Sequence, residues 1–315
     1  FFYLFLYLKC YLISEQTNTS FIMRKITLFL ILLLSIFITP VKAAEYNMVF
    51  VPASEKGDEN DYETLLKIVE KITNFKINTI KVTDYNAAVE AMRAGRAHIA
   101  WYGGKTYVKA AEIAEAEAFA AGIRPGEKDA GYFTYFVVRK DSEIKKFEEI
   151  KGRVLSLNSI GSTSGDLIPQ VELTKINLSI KNENDFKNVY YAGSHDACLL
   201  AVLNKQADVC GMSSRNYEAR LEDKTFVEDD VRIIHRSDRV PPPPLAYSKK
   251  IPLQDRLKIK KAVLEAHEHG EIGGYGGKMS HYISVKDSDY DVLRNVVKLL
   301  NKKWEFMLEI DNLKK

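Results

Sequence analysis

The chain has 315 residues, 46% apolar and 28% charged, which is long enough for two lobes and typical of a folded globular protein. Its 45 Lys and Arg against 42 Asp and Glu leave a net charge of +3. That balance, with no basic run interleaved with aromatics, argues against nucleic acid as a partner.

Met23-Arg24-Lys25 precedes an apolar run from Ile26 to Ile38 and then Thr39-Pro40-Val41-Lys42-Ala43-Ala44. A basic start, an apolar stretch too short to span a bilayer comfortably and small residues at its end describe a secretory signal peptide over 23–43. Val41 and Ala43 place the cut after Ala43, and no Cys stands there to take a lipid. Residues 1–22 lack Met and are read as an upstream extension. An N-terminal membrane anchor using both apolar runs is the alternative. Either way the chain after Glu45 is expected outside the cytoplasmic membrane, in the periplasm.

From there strands and helices alternate. Tyr46 to Val51 reads as a buried strand, and Asp61 to Phe75 as an amphipathic helix with Tyr62, Leu65, Leu66, Val69 and Ile72 on one face. Ile77 to Val82 is a strand, Asp84 opens a helix stopped by Gly95, His98 to Tyr102 is a strand, and Lys105 to Ala116 is a helix. Tyr132 to Val138 is strongly β-like, and a short helix follows from Ser142 to Gly152. A second strand–helix series runs from Val154 to about His235. Pro241 to Pro244 mark an extended crossover, and Leu253 to Glu268 and Tyr290 to Trp304 are helices separated by a Gly-rich loop, Gly270 to Gly277. The alternation predicts parallel sheets flanked by helices. Cys198 falls in a helix and Cys210 in a strand; an exported chain permits a disulfide, and two buried thiols fit as well. Neither is spaced with a His as metal ligands are, so no metal and no cofactor is expected.

The stretch richest in chemistry is Gly161-Ser162-Thr163-Ser164-Gly165, between the strand Arg153–Leu157 and a helix over 166–176. The first amides of a helix lack intrahelical acceptors and carry the positive end of its dipole, and Ser and Thr add hydroxyl donors, so this is a place to hold an anion. An ordinary N-cap explains the stretch as well. An internal correspondence adds to it. Asp84-Tyr85-Asn86-Ala87-Ala88 aligns with Ser194-His195-Asp196-Ala197-Cys198, and Ala97–Ala100 with Ala207–Cys210, at a constant offset of 110 residues. Two similar lobes follow, with Tyr85 and His195 at equivalent helix starts and Ser54 opposite Ser164. Ligands bind beyond the carboxyl ends of strands in open α/β sheets, so two such edges would face one another across a cleft. Ser54, Tyr85 and Trp101-Tyr102 would line one side, and Ser162 to Ser164, His195 and Ser213 to Asn216 the other. Nearly all are donors, which suits an oxyanion.

These segments, with Ile99-Ala100-Trp101-Tyr102-Gly103, Gly131-Tyr132-Phe133 and Val138-Arg139-Lys140-Asp141-Ser142, resemble the phosphonate/phosphite-type periplasmic binding proteins of ABC importers over about Tyr46 to Leu300. The resemblance implies a type II binding-protein fold: two α/β lobes joined by hinge strands, with the ligand cleft between them. Lobe 1 would take 45–135 and 243–315, and lobe 2 136–242. The ligand set it implies is Tyr85, Tyr102, Ser162, Thr163, Ser164 and His195, to which Ser54 and Arg215 are added. Members that bind aminoalkylphosphonates are expected to carry acidic residues at the positions of Arg215 and Pro243. Here these are cationic and apolar, so a compact phosphonate, phosphite or phosphate-like anion without an amino group is expected, with selenate as a related candidate. The expected partner is an ABC permease and the expected state a monomer. A sensor of the same fold feeding a membrane histidine kinase is the alternative. An enzyme is not expected: Thr163 stands where a hydrolase elbow needs its nucleophilic Ser, and the segment ending Gly277-Lys278-Met279 lacks the P-loop's first Gly and its Ser or Thr.

Overall fold

The computed structural model describes residues 43–55 and 58–313. The upstream extension and the signal peptide up to residue 42 lie outside them. Among the described residues no helix is long and apolar enough to cross a membrane.

The first sheet contains β1 (Glu45–Phe50), β2 (Lys76–Ile80), β3 (Ile99–Trp101), β4 (Ala116–Ile123), β10 (Leu245–Ser248) and β13 (His281–Ser284), in the order β13-β4-β10-β3-β1-β2. The second contains β5 (Thr134–Arg139), β6 (Val154–Leu157), β7 (Asn188–Tyr191), β8 (Val209–Ser213) and β9 (Val231–Arg236), in the order β7-β6-β8-β5-β9. Helices α1 (Glu63–Thr73), α2 (Tyr85–Arg93) and α3 (Gly104–Ile113) alternate with the first strands, and α4 (Ile168–Lys175), α5 (His195–Leu203) and α6 (Ser214–Glu222) with those of the second sheet. Helices α7 (Leu253–Glu265) and α8 (Asp291–Leu313) close the chain against the first lobe. The chain passes between sheets twice, at 124–133 and 237–244. The two crossings pair as one antiparallel bridge, Tyr132 with Val240, through bonds of 3.2 and 2.8 Å.

The expectation of parallel sheets is half right. β2-β1-β3 and β7-β6-β8 are parallel, but each lobe then adds an antiparallel strand that arrives after a crossing, β10 beside β3 and β5 beside β8. A strand that enters a lobe from its neighbour runs against those that began there. The 110-residue correspondence is thus a correspondence of sheets. β4 was not foreseen. Its sequence, AEAFAAGI, has few β-branched residues, yet it is buried on both faces between β10 and β13, where small side chains let helices pack close. The Gly-rich stretch read as a loop is a hairpin, β11 (Ile272–Gly274) with β12 (Gly277–Met279).

Cys198 and Cys210 form a disulfide that ties α5 to β8 within the second lobe. That lobe packs in two layers. Phe136, Ile150, Leu155, Leu157 and Leu173 lie among the residues on one side of the sheet, and Leu199, Val202, Met212 and Phe226 on the other.

Candidate functional site

The site is built from helix starts. Asp84 caps α2 by accepting the Ala87 N–H at 2.9 Å, and Ser194 caps α5 by accepting the Ala197 N–H at 3.0 Å. Tyr85 and His195 are therefore the first helical residues of equivalent elements, buried at the facing edges of the two lobes. The His195 amide donates across to the Ala53 carbonyl at 3.1 Å, and the Glu55 amide to Asp196 Oδ2 at 2.9 Å, so the loop carrying Ser54 lies against the α5 start.

The turn after β6 is wider than an α-turn. Thr163–Leu167 is a single turn of π-helix, closed by Leu167 N–H to the Ser162 carbonyl at 3.1 Å, before α4 continues. Such turns collect at functional sites because the extra residue re-aims the ones before it. Ser162 Oγ caps the turn, accepting the Gly165 N–H at 3.0 Å and the Asn158 amide at 3.2 Å. The Thr163 and Ser164 amides stand at the opening of this turn, where no intrahelical carbonyl reaches. Thr163 Oγ1 accepts the Lys105 N–H of the opposite lobe at 2.9 Å, which leaves its own proton for donation. Asn158 Nδ2 also donates to Tyr85 Oη at 3.3 Å, which brings that phenol to the same turn.

Two glycines are required by close approach. Gly161 has φ of +104°, and a Cβ there would meet Tyr85 Cβ at 2.9 Å. A Cβ on Gly165 would meet Asn158 Cβ at 2.3 Å and His195 Cε1 at 2.9 Å. His195 is 1% exposed, and burial pulls its imidazole down to about 3. Nδ1 accepts the Ser213 N–H at 3.2 Å, so the neutral ring carries its proton on Nε2. It is a donor that never competes by charging.

Of the predicted set, Tyr85, Ser162, Thr163, Ser164 and His195 come together, and Ser54 lies in the loop beside them. Tyr102 does not join them. It is fully buried in the first lobe, and its hydroxyl donates to the Ala88 carbonyl at 3.3 Å, with Met92 Sδ at 3.7 Å. Its ring is held in the core by α2. The phenol at the turn is instead Tyr132, at the hinge bridge. The Ser164 and Thr163 hydroxyls bond with it, and burial, which raises its pKa, outweighs their opposing effect and that of Arg215. Tyr132 went unrecognised because a β-like run gives no sign of where the crossover bends. Arg215 is 2% exposed and bonds Glu127 Oε2 at 3.0 Å and the Ala130 carbonyl at 2.9 Å, both from the first crossover.

An unforeseen carboxylate sits beneath the turn. Asp166, 1% exposed, pairs with Lys105 Nζ from the other lobe, and accepts the Gln170 amide and Tyr191 Oη, both at 2.7 Å, and the Gly161 N–H at 3.3 Å. Its charge would oppose an anion at the turn, and Lys105 offsets it. With Thr106 Oγ1 donating to the Gly161 carbonyl at 2.8 Å, the start of α3 is bonded to the turn at three points. The lobes are therefore closed on one another. Among the described residues no group of three or more His, Cys, Asp or Glu is placed to hold a metal.

Residues 48–290 match the family model described as ABC transporter, phosphonate, periplasmic substrate-binding protein. The phosphonates-binding periplasmic protein of Escherichia coli is 27% identical over 236 residues, covering 72% of this chain and 68% of that one. The phosphate-import protein PhnD of Mycolicibacterium smegmatis is 26% identical over 265 residues, covering 78% and 83%. The structure of PhnD1 from Prochlorococcus marinus in complex with methylphosphonate superposes with a TM-score of 0.70 at 19% identity, covering 82% of this chain and 98% of that one. The two-lobed α/β architecture is thus that of the type II periplasmic binding proteins.

Proposed function

The chain belongs to the phosphonate periplasmic substrate-binding proteins of ABC transporters, and from that premise we propose that it binds a small phosphorus oxyanion between its lobes and presents it to a membrane permease. The anion sits at the π-turn, held by the Thr163 and Ser164 amides and hydroxyls, the His195 Nε2–H, and the Tyr85 and Tyr132 phenols. Ser162 positions the turn and Ser54 lies at the rim. The observation that carries this reading is the convergence of donors from both lobes and the hinge on one turn, with the carboxylate beneath it, Asp166, already taken by four donors. Each charge-assisted bond contributes about 1.5–3 kcal/mol, so four or five imperfectly additive ones reach micromolar affinity, about −8 kcal/mol, after association costs. Closure follows because only the closed form lets both lobes touch the anion.

The names of the relatives cover phosphonates, phosphate and methylphosphonate, which supports the phosphorus class. The disulfide supports an oxidising compartment such as the periplasm. A thermal-shift screen of phosphate, phosphite, methylphosphonate, sulfate and selenate tests the reading. A ligand at a hundred times its Kd stabilises by about 2.7 kcal/mol. The shift for the best phosphorus anion is expected to vanish in the Thr163→Ala, Ser164→Ala double variant. A shift that persists there places the site elsewhere.

A further inference from the structure

Asn158 stands directly after β6, at the carboxyl edge of the second sheet, and is fully buried. Its backbone ties the π-turn to the loop before α5: its N–H donates to the Gly165 carbonyl at 3.0 Å, and its carbonyl accepts the Gly193 N–H at 2.7 Å. Neither bond uses the side chain. The side-chain amide is turned instead toward two hydroxyls, one from each lobe. Nδ2 donates to Ser162 Oγ at 3.2 Å and to Tyr85 Oη at 3.3 Å, so both of its protons are engaged. Its Oδ1 is buried and has no hydrogen-bond partner among the described residues.

A serine hydroxyl has two acceptor positions and one proton. Ser162 Oγ accepts the Gly165 N–H at 3.0 Å as well as Asn158 Nδ2, so both acceptor positions are filled and its proton is what it has left to offer. Tyr85 Oη takes the other Nδ2 proton and is set in the same sense, as a donor. Rotated by half a turn, the same amide would place Oδ1 against both hydroxyls and draw in their protons. Two lone-pair-bearing oxygens would then face an anion and repel it. An aspartate would do the same with a full charge. The orientation in the structure leaves a buried carbonyl unanswered, which is unfavourable by itself. Two hydroxyls held as donors toward an anion offset that loss.

Resting on the function proposed above, we propose that Asn158 is a positioning residue whose amide fixes the Tyr85 and Ser162 hydroxyls as donors, so that the phenol of the first lobe and the serine of the turn both present a proton to the oxyanion. It acts through these two groups and not on the anion itself. Because the bond to Tyr85 joins one lobe to the other, this polarity is set as the lobes come together.

The test is titration calorimetry of the full chain with inorganic phosphate and methylphosphonate, read for whichever binds the wild type more tightly. Tyr85→Phe is expected to weaken binding at least about tenfold, the factor that one charge-assisted bond supplies. Asn158→Leu, of similar outline, is expected to weaken it about tenfold in the wild-type background and about threefold or less once Tyr85 is Phe, because one of the two hydroxyls it directs is then gone. A role in packing alone gives the same factor in both backgrounds. Asn158→Asp, which keeps the shape and reverses the polarity, is expected to abolish detectable binding while cooperative unfolding is retained. Asn158→Ser takes the place of the leucine variant in the cycle if that variant does not fold. Equal factors in the two backgrounds, or binding within threefold of wild type by Asn158→Asp or by Tyr85→Phe, overturn the assignment while leaving the oxyanion site standing. Absence of binding of both ligands by the wild type overturns both.

Discussion

Thr163→Val tests the anion site with the least disturbance to shape. Thr163 is 2% exposed, and its hydroxyl accepts the Lys105 N–H from the opposite lobe at 2.9 Å and, in the proposed function, offers its proton to the anion. Valine keeps the branched outline and removes both. Loss of one charge-assisted bond costs about 1.5–3 kcal/mol, and an unanswered Lys105 amide in the closed state adds about 1 kcal/mol. Together these predict a Kd weakened by roughly two orders of magnitude. Titration calorimetry with the best phosphorus anion reads the loss, and Thr163→Ser, which keeps the hydroxyl, should lie within about threefold of wild type. Thermal unfolding without ligand checks that the second lobe is intact. A Thr163→Val protein that folds normally and binds within threefold of wild type would refute the assignment of this hydroxyl to the ligand.

Lys105→Met removes the part-exposed partner of buried Asp166 and is expected to cost the closed form about 1–2 kcal/mol. Small-angle scattering of the ligand-free variant should show a larger radius of gyration, and an unchanged curve would mean that the pair does not bias closure. Gly165→Ala forces a Cβ to within 2.3 Å of Asn158 Cβ and 2.9 Å of His195 Cε1. Binding should fall below detection while the far-ultraviolet spectrum is kept; tight binding would show the turn to be free to move. His195 titrates near 3 when folded against 6.5 in an open chain, so unfolding takes up a proton at intermediate pH. Its contribution to stability is complete above about 6.5 and is lost as pH falls toward 3. Thermal melts across that window should fall less steeply for His195→Gln, and parallel profiles would contradict a buried neutral ring. Reducing the Cys198–Cys210 bond, which spans 12 residues, is expected to cost roughly 2–4 kcal/mol, read from denaturant midpoints with and without reductant.

The helix starts were legible because capping leaves a local signature. Asp84 and Ser194 precede apolar runs, and each caps the amide three residues on. The same applies to Ser162, and through it to the whole turn. What stayed hidden depends on contacts distant in the chain. Tyr102 follows a strand edge just as a cleft residue would, and only the packing of α2 against β3 turns its hydroxyl inward to Ala88. Tyr132 acquires its role from a bridge to Val240, 108 residues later, which no local pattern encodes. β4 escaped notice because alanines say little about strand or helix, and the hairpin at 272–279 because glycines read as punctuation until their partners are known.

The antiparallel bridge between the two crossings places Tyr132 on the axis about which the lobes would turn. A point on an axis travels least, so on opening of the proposed cleft this phenol would stay beside Thr163 and Ser164, whereas Tyr85 and the start of α3 would swing away and return. Capture would then proceed in two stages: docking on a half-site that exists beforehand, followed by clamping. An anion lost during the first stage departs quickly, and one that survives to the second is released only when the hinge itself is bent.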